Sequence, residues 1–198
     1  MQEHATVTPQ AAPSIRYAYK ASLIGAAHWF EVTDEGLAWR FAGRSGLWAY
    51  ADIAAIRLSY RPVSMQARRF RADLNHVNGA RLVVVSTSWQ TAALMAPQDK
   101  DYRVFILALH ERMANAGSRP KLSGGLAPAT YAAALALLAL VGVGMAGLLI
   151  RAFAIGEFAG AAFLIGFAAL FGWQVGGFVR RNRPVAYLFG HIPDALLP

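Results

Sequence analysis

The chain has 198 residues, 56% of them hydrophobic, with 19 lysines and arginines against 11 acids and no cysteine. The missing cysteines exclude a disulfide-stapled scaffold and fit a cytosolic domain, and the net charge of +8 directs attention to anionic partners. A chain of this size holds one soluble domain of about 100 residues beside any membrane segment and little more.

The first 14 residues, MQEHATVTPQAAPS, lack the apolar core of a secretory signal and are predicted to form a flexible arm. From His28 onward the pattern is period-two alternation broken by turns. LAWRFA places Leu37, Trp39 and Phe41 on one face and Arg40 on the other, and TDEG, Thr33 to Gly36, is a hairpin turn joining it to HWFEV. GRSG, Gly43 to Gly46, is a second predicted turn leading into LWAYADI. Further strands are expected over Ala55 to Tyr60, Arg68 to Leu74 and Arg81 to Thr87, which together suggest an antiparallel meander. One amphipathic helix follows, capped by Asp99 and ended by Gly117, with Tyr102, Phe105, Ile106, Leu109 and Met113 recurring every three or four residues. Its apolar stripe must cover an opening in the sheet. The domain is thus assigned to residues 15–118, and the Gly- and Pro-rich stretch 119–128 to a linker.

Two apolar stretches come next, 129–150 and 158–179, separated by Arg151 and Glu157, the only charges between Lys121 and Arg180. One continuous helix over both would be about 75 Å long, far more than a bilayer core of about 30 Å accommodates by tilting. A charge at the bilayer centre costs about 2.5 kcal/mol or more, so residues 151–157 are expected to be a turn on the far side of a two-span hairpin. Arg119 and Lys121 precede the first span, and Arg180, Arg181 and Arg183 follow the second. The positive-inside rule therefore places both termini, including the tail 180–198, in the cytoplasm and the turn in the periplasm. The tail carries Val185, Tyr187, Leu188, Phe189, Ile192, Leu196 and Leu197, too many apolar side chains for a free segment. It is expected to fold back onto the domain or the membrane interface, or to dock on a partner.

Strands closed by a C-terminal helix make up the plan of a pleckstrin-homology-like (PH-like) fold. Asp34 to Pro62, Arg81 to Trp89, Tyr102 to Met113 and the tail RRNRP followed by IPDALLP resemble a bacterial family of membrane-anchored PH-like proteins. In that family the domain precedes a two-span hairpin, and the similarity runs over about residues 15–198. The resemblance implies an α+β PH-like antiparallel β-barrel or sandwich capped by a C-terminal α-helix, an inner-membrane location, and no particular activity or functional residue. In lipid-binding PH domains basic residues surround the first hairpin loop, whereas the first turn recognised here holds Asp34 and Glu35, which would repel a phosphorylated headgroup.

Few residues suggest chemistry. The histidines, His4, His28, His76, His110 and His191, are dispersed, Ser45 lacks the strand-to-helix setting of a nucleophile elbow, and no phosphate loop is present. No enzyme activity, metal or cofactor is therefore expected, and a membrane enzyme is the weakest of three readings. The arginines Arg57, Arg61, Arg68, Arg69 and Arg71 fall within fifteen residues and form the candidate binding set. They suit a lipid-headgroup patch or an acidic partner, or else a solvated strand face that pairs locally with Asp52 or Asp73. Trp29, Trp39, Trp48 and Trp89 are expected to pack in or around the core.

Small residues at four-residue spacing mark helix-packing faces. They are Gly142 and Ala146 in the first span, then Gly156 and Gly160, and Ala168, Gly172 and Gly176 in the second, suited to contact within the hairpin or between protomers. The expected partners are membrane lipids and another membrane or cytoplasmic protein or a second copy, and not nucleic acid, for which no recognition motif is present. The leading functional reading is a noncatalytic docking or assembly module, with an anionic-lipid sensor as the alternative.

Overall fold

The computed structural model describes residues 14–62, 68–91 and 94–198, so that nearly all of the predicted N-terminal arm lies outside the described residues. Strands β1 (Ile15–Tyr19), β2 (His28–Val32), β3 (Leu37–Phe41) and β4 (Arg44–Trp48) form an antiparallel meander in chain order. Alternation sets its faces, with Tyr17, Tyr19, Phe30, Val32, Leu37 and Trp48 buried on one side and Trp29 and Arg40 outward on the other. The β3–β4 turn is shorter than predicted: Ala42 and Gly43, both at positive φ, make a two-residue hairpin loop, and Arg44 already belongs to the strand.

A 3₁₀ turn, Tyr50–Asp52, leads to a second meander of β5 (Ile53–Tyr60), β6 (Phe70–His76) and β7 (Arg81–Val85). The short ribbon of β8 (Thr87–Trp89) and β9 (Met95–Pro97) delivers the chain to helix α1 (Asp99–Asn115). All five residues of the predicted helical stripe are fully buried. Asp99 is the first helical residue rather than the cap, a position held by Gln98 without a side-chain bond. Gly117 stands just past the end at φ +69°, and Ser118 N–H closes the last turn on the Met113 carbonyl. Inward side chains of both meanders and of α1 join in one core cluster.

The expected barrel does not close, and among the described residues no sheet runs into the other. Where β1 faces β7 the connection is made by side chains. The Tyr17 and Tyr19 hydroxyls donate to the Val85 and Val83 carbonyls at 2.6 Å each, satisfying an edge that would otherwise demand a strand. The architecture is a mixed α/β domain of antiparallel and mixed sheets, because β5 gains an unexpected neighbour.

That neighbour comes from the predicted linker. Residues 121–124 form β10 (Lys121–Gly124), which lies parallel to Ala55–Leu58 of β5. A free edge on β5 offers unpaired backbone groups, and pairing them outweighs the preference of a Gly-rich stretch for coil. After β10 come two long apolar helices, α2 (Pro128–Ala154) and α3 (Phe158–Arg181), joined by a turn in which Gly156 sits at φ +76°. Arg151 lies in the last turn of α2, where a cation meets the negative end of the helix dipole.

Both helices are long and apolar enough to cross a bilayer, and none of their most apolar window is buried by the rest of the chain. They are therefore not core helices of a soluble domain, and the protein is membrane-associated. The tail returns to the domain, as the apolar content of 180–198 anticipates. Its strand β11 (Val185–Ala186) pairs with β10, and Tyr187, Leu196 and Leu197 enter the core.

Candidate functional site

The five candidate arginines separate into groups of different character. Asp73 lies on the outer face of β6 yet is only 4% exposed, because Arg71 and Arg81 each reach its Oδ1 at 2.8 Å and Arg57 stands opposite it on β5. Arg71 thus makes the local pairing with Asp73 that the sequence left open, and Arg57 stands beside it on the neighbouring strand without an ion pair among the described residues. Arg81 also pairs with Asp73 and was missed. The hairpin between β6 and β7, which puts Val83 opposite Asp73 and Arg81 two residues away on the same face, was the available signal. Arg68 approaches Asp99 at 3.8 Å across exposed surface, a distance and setting worth little.

Arg61 and Arg69 are different. The Arg61 N–H donates to the Arg69 carbonyl at 2.7 Å, and the Arg69 Nε–H donates back to the Arg61 carbonyl at 3.2 Å. Neither guanidinium meets a carboxylate among the described residues. Burial, then the Arg71 and Arg61 charges, hold Arg69 below the usual arginine pKa.

These two arginines lie beside the end of α3. Asn182, the first residue after the helix, is fully buried and accepts the Tyr60 N–H at its Oδ1 at 3.2 Å. Arg181 stacks its guanidinium 5.0 Å from the centre of the Tyr60 ring. Arg180, Arg181 and Arg183 are exposed around this junction. Local sequence grouping could not place Arg181 against Tyr60, since they meet only when the chain returns from the hairpin.

A second surface lies on the outer face of the first meander. Trp29 and Leu47 remain 41% and 49% exposed there, around Ala38, with Arg40 stacked 5.6 Å from the Trp29 ring centre and Arg16 bonded to Glu31 at 2.9 Å. Trp48 is buried as expected, and Trp39 packs its indole into the space that Gly46 leaves empty on the facing strand. Of these four tryptophans Trp29 alone is exposed. Strand β1 also went unrecognised, so the acidic Asp34–Glu35 turn belongs to the second hairpin. The loop of the first carries Lys20 with Leu23 and Ile24 exposed.

In the hairpin, Gly142 and Ala146 of α2 and Ala168 and Gly172 of α3 line one open groove of about 400 Å³. A Cβ added at Gly142, Gly160, Gly172 or Gly176 would meet nothing within 4 Å, so these glycines make no close helix contact within the chain. Gly156 sits in the turn rather than on a helix face with Gly160.

Of the histidines, His110 has the most constrained setting. Its Nδ1–H donates to the Ile106 carbonyl at 2.7 Å, and Nε2 accepts from the Tyr187 hydroxyl at 3.0 Å, which ties α1 to the tail. Burial lowers its pKa, partly offset by the bond to Ile106. Among the described residues no three His, Asp or Glu side chains gather where they could hold a metal.

Compared with protein-family models, curated proteins and solved structures, the chain matches none. The functional reading therefore stands on the sequence and the geometry.

Proposed function

We propose that the chain is a noncatalytic protein of the bacterial inner membrane, whose PH-like domain serves on the cytoplasmic side as a protein-docking or assembly module. Two meanders followed by a core-filling helix support the PH-like assignment, with β10 and β11 as additions at the β5 edge. Arg119, Lys121, Arg180, Arg181 and Arg183 flank the hairpin on the domain side and Arg151 alone its turn, which supports cytoplasmic termini.

The observation that carries the docking reading is the outer face of the first meander. Trp29 and Leu47 are exposed on this face with Ala38 diagonally between them and Glu31 and Arg40 interspersed on the two central strands, and the adjoining loop presents Ile24 at 92% exposure. Exposed tryptophan and arginine are the residues that most often carry the binding energy of a protein interface. A photoreactive residue at position 47, in the full chain in its own membrane, is expected to give one discrete crosslinked protein. The same probe at position 119 is expected to give none, and Trp29→Ala to abolish the adduct. Equal crosslinking from both positions, or none from either, would overturn the docking role.

A second reading, an anionic-lipid surface, draws on the arginines at the α3 junction rather than on the whole set from Arg57 to Arg71.

A further inference from the structure

We propose that the Arg61–Arg69 pair, with Arg181 stacked on Tyr60 at the same end of β5, binds the phosphate headgroups of anionic phospholipid in the leaflet from which the hairpin emerges. The proposal rests on the membrane-anchored reading and is independent of the docking reading.

The first argument is position. Strand β10 runs directly into α2 and lies parallel to β5, so the C-terminal end of β5 points the same way as the chain entering the hairpin. Leu126 N–H bonds to the Asn182 carbonyl at 2.9 Å, and Gly125 N–H to the Leu58 carbonyl at 2.8 Å. Entry to α2, exit from α3 and the end of β5 therefore share one level. Arg180 ends the second apolar stretch, so that level is the headgroup zone, and Arg61, Arg69 and Arg181 all stand in it.

Charge is the second argument. Arg71 and Arg81 share the Asp73 carboxylate, whereas Arg61, Arg69 and Arg181 meet no carboxylate among the described residues. Arg61 and Arg71 both act on Arg69, and like charges within the screening length of about 8 Å repel one another. Arg69 feels that repulsion while partly desolvated, and its Nε–H is already committed to the Arg61 carbonyl. Among the described residues its terminal nitrogens have no carboxylate partner and can face an anion.

Preorganisation is the third. Stacking on Tyr60 restrains Arg181, and the reciprocal backbone and side-chain bonds of Arg61 and Arg69 restrain that pair. A guanidinium fork matches a phosphate in two parallel hydrogen bonds, and holding the forks in advance lowers the entropy lost on binding. A phospholipid is favoured over a soluble anion because the bilayer concentrates phosphates at this plane.

The test uses the detergent-purified full chain titrated with dioleoylphosphatidylglycerol or dioleoylphosphatidylcholine, with bound lipid counted by native mass spectrometry. Preferential retention of phosphatidylglycerol is expected. It should weaken about fivefold per arginine removed in Arg61→Gln, Arg69→Gln and Arg181→Gln combined, and persist in Arg119→Gln with Lys121→Gln at the far end of β10. Arg61→Gln alone, at an exposed position, gives the same reading should the triple variant fail to fold. Equal retention of both lipids, or a preference untouched by these substitutions, would overturn the site. Displacement of the lipid by inorganic phosphate at equal concentration would make it a soluble-anion site and end the lipid assignment. Carbonate extraction separates the two layers of inference: release of the wild-type chain refutes the membrane reading itself, while retention without lipid preference refutes only the headgroup site.

Discussion

Asn182 does the work of a bolt between domain and hairpin. Its Oδ1 accepts from Tyr60 N–H, its Nδ2–H donates to the Phe178 carbonyl at 3.1 Å, and its own carbonyl accepts from Leu126 N–H. Asn182→Ala strands a buried backbone donor at the end of β5, a loss of about 1–3 kcal/mol. The expected outcome is a lower Tm for the full chain in detergent, and an unchanged Tm would show that water replaces the amide. His110 supplies a pH dependence of defined sign. Burial lowers its pKa in the folded state, so the unfolded chain binds the proton more readily. The stability that depends on a neutral His110 is thus complete above its unfolded pKa of about 6.5 and is lost as pH falls towards the lowered folded value. His28, also lowered by burial, acts in the same direction. Thermal unfolding between pH 7.5 and 5 should show declining stability, with a shallower decline in His110→Gln. An equal slope in that variant would assign the effect elsewhere.

At the scale of elements, the segments least legible in the sequence are those that bind the domain to its hairpin. The α1 stripe and both apolar helices declare themselves by periodicity and length. KLSG in β10 is only four residues between Pro120 and Gly125, and becomes a strand because β5 has a free edge and the returning tail supplies β11. Such pairing is nonlocal and leaves no local pattern. Strand β1 is another matter, since Ile15, Tyr17 and Tyr19 do alternate, and only the eight-residue loop before β2 concealed the hairpin. Gly125 tests the joint. It lies at φ +77°, and a Cβ there would collide with the Asn182 and Arg183 carbonyl oxygens, so Gly125→Ala combines strain with a clash. A loss of about 2 kcal/mol or more is expected, measurable by thermal denaturation. Removing residues 184–198 takes Tyr187, Leu196 and Leu197 from the core, each worth about 1.5–3 kcal/mol. The truncated chain should unfold well below the intact one, and a matching Tm would mean that the tail contributes nothing to the core.

For the whole molecule, the consequence is a soluble domain mounted on its hairpin through strands rather than tethered by a flexible linker. The chain leaves the sheet by β10 and re-enters it by the adjacent β11, so the domain and the tail must lie on one side of any membrane that the helices cross. The candidate site follows from the same return: Arg61 and Arg69 are neighbours in a pattern visible in the sequence, but Arg181 reaches the same end of β5, against Tyr60, only after two helices have intervened. An arginine count over fifteen residues found part of the group and mixed it with Arg71, which is paired with Asp73, and with Arg57 beside it. Because the chain has no cysteine, its topology is directly testable by single introduced thiols. In spheroplasts, a membrane-impermeant maleimide should label Ile155→Cys in the turn and leave Arg119→Cys and Gly190→Cys untouched until the membrane is broken. Labelling of all three before lysis would put the domain outside and invert the orientation argued from the arginines. Labelling of 119 and 190 on opposite sides would contradict the β10–β11 pairing itself, since paired strands cannot straddle a bilayer.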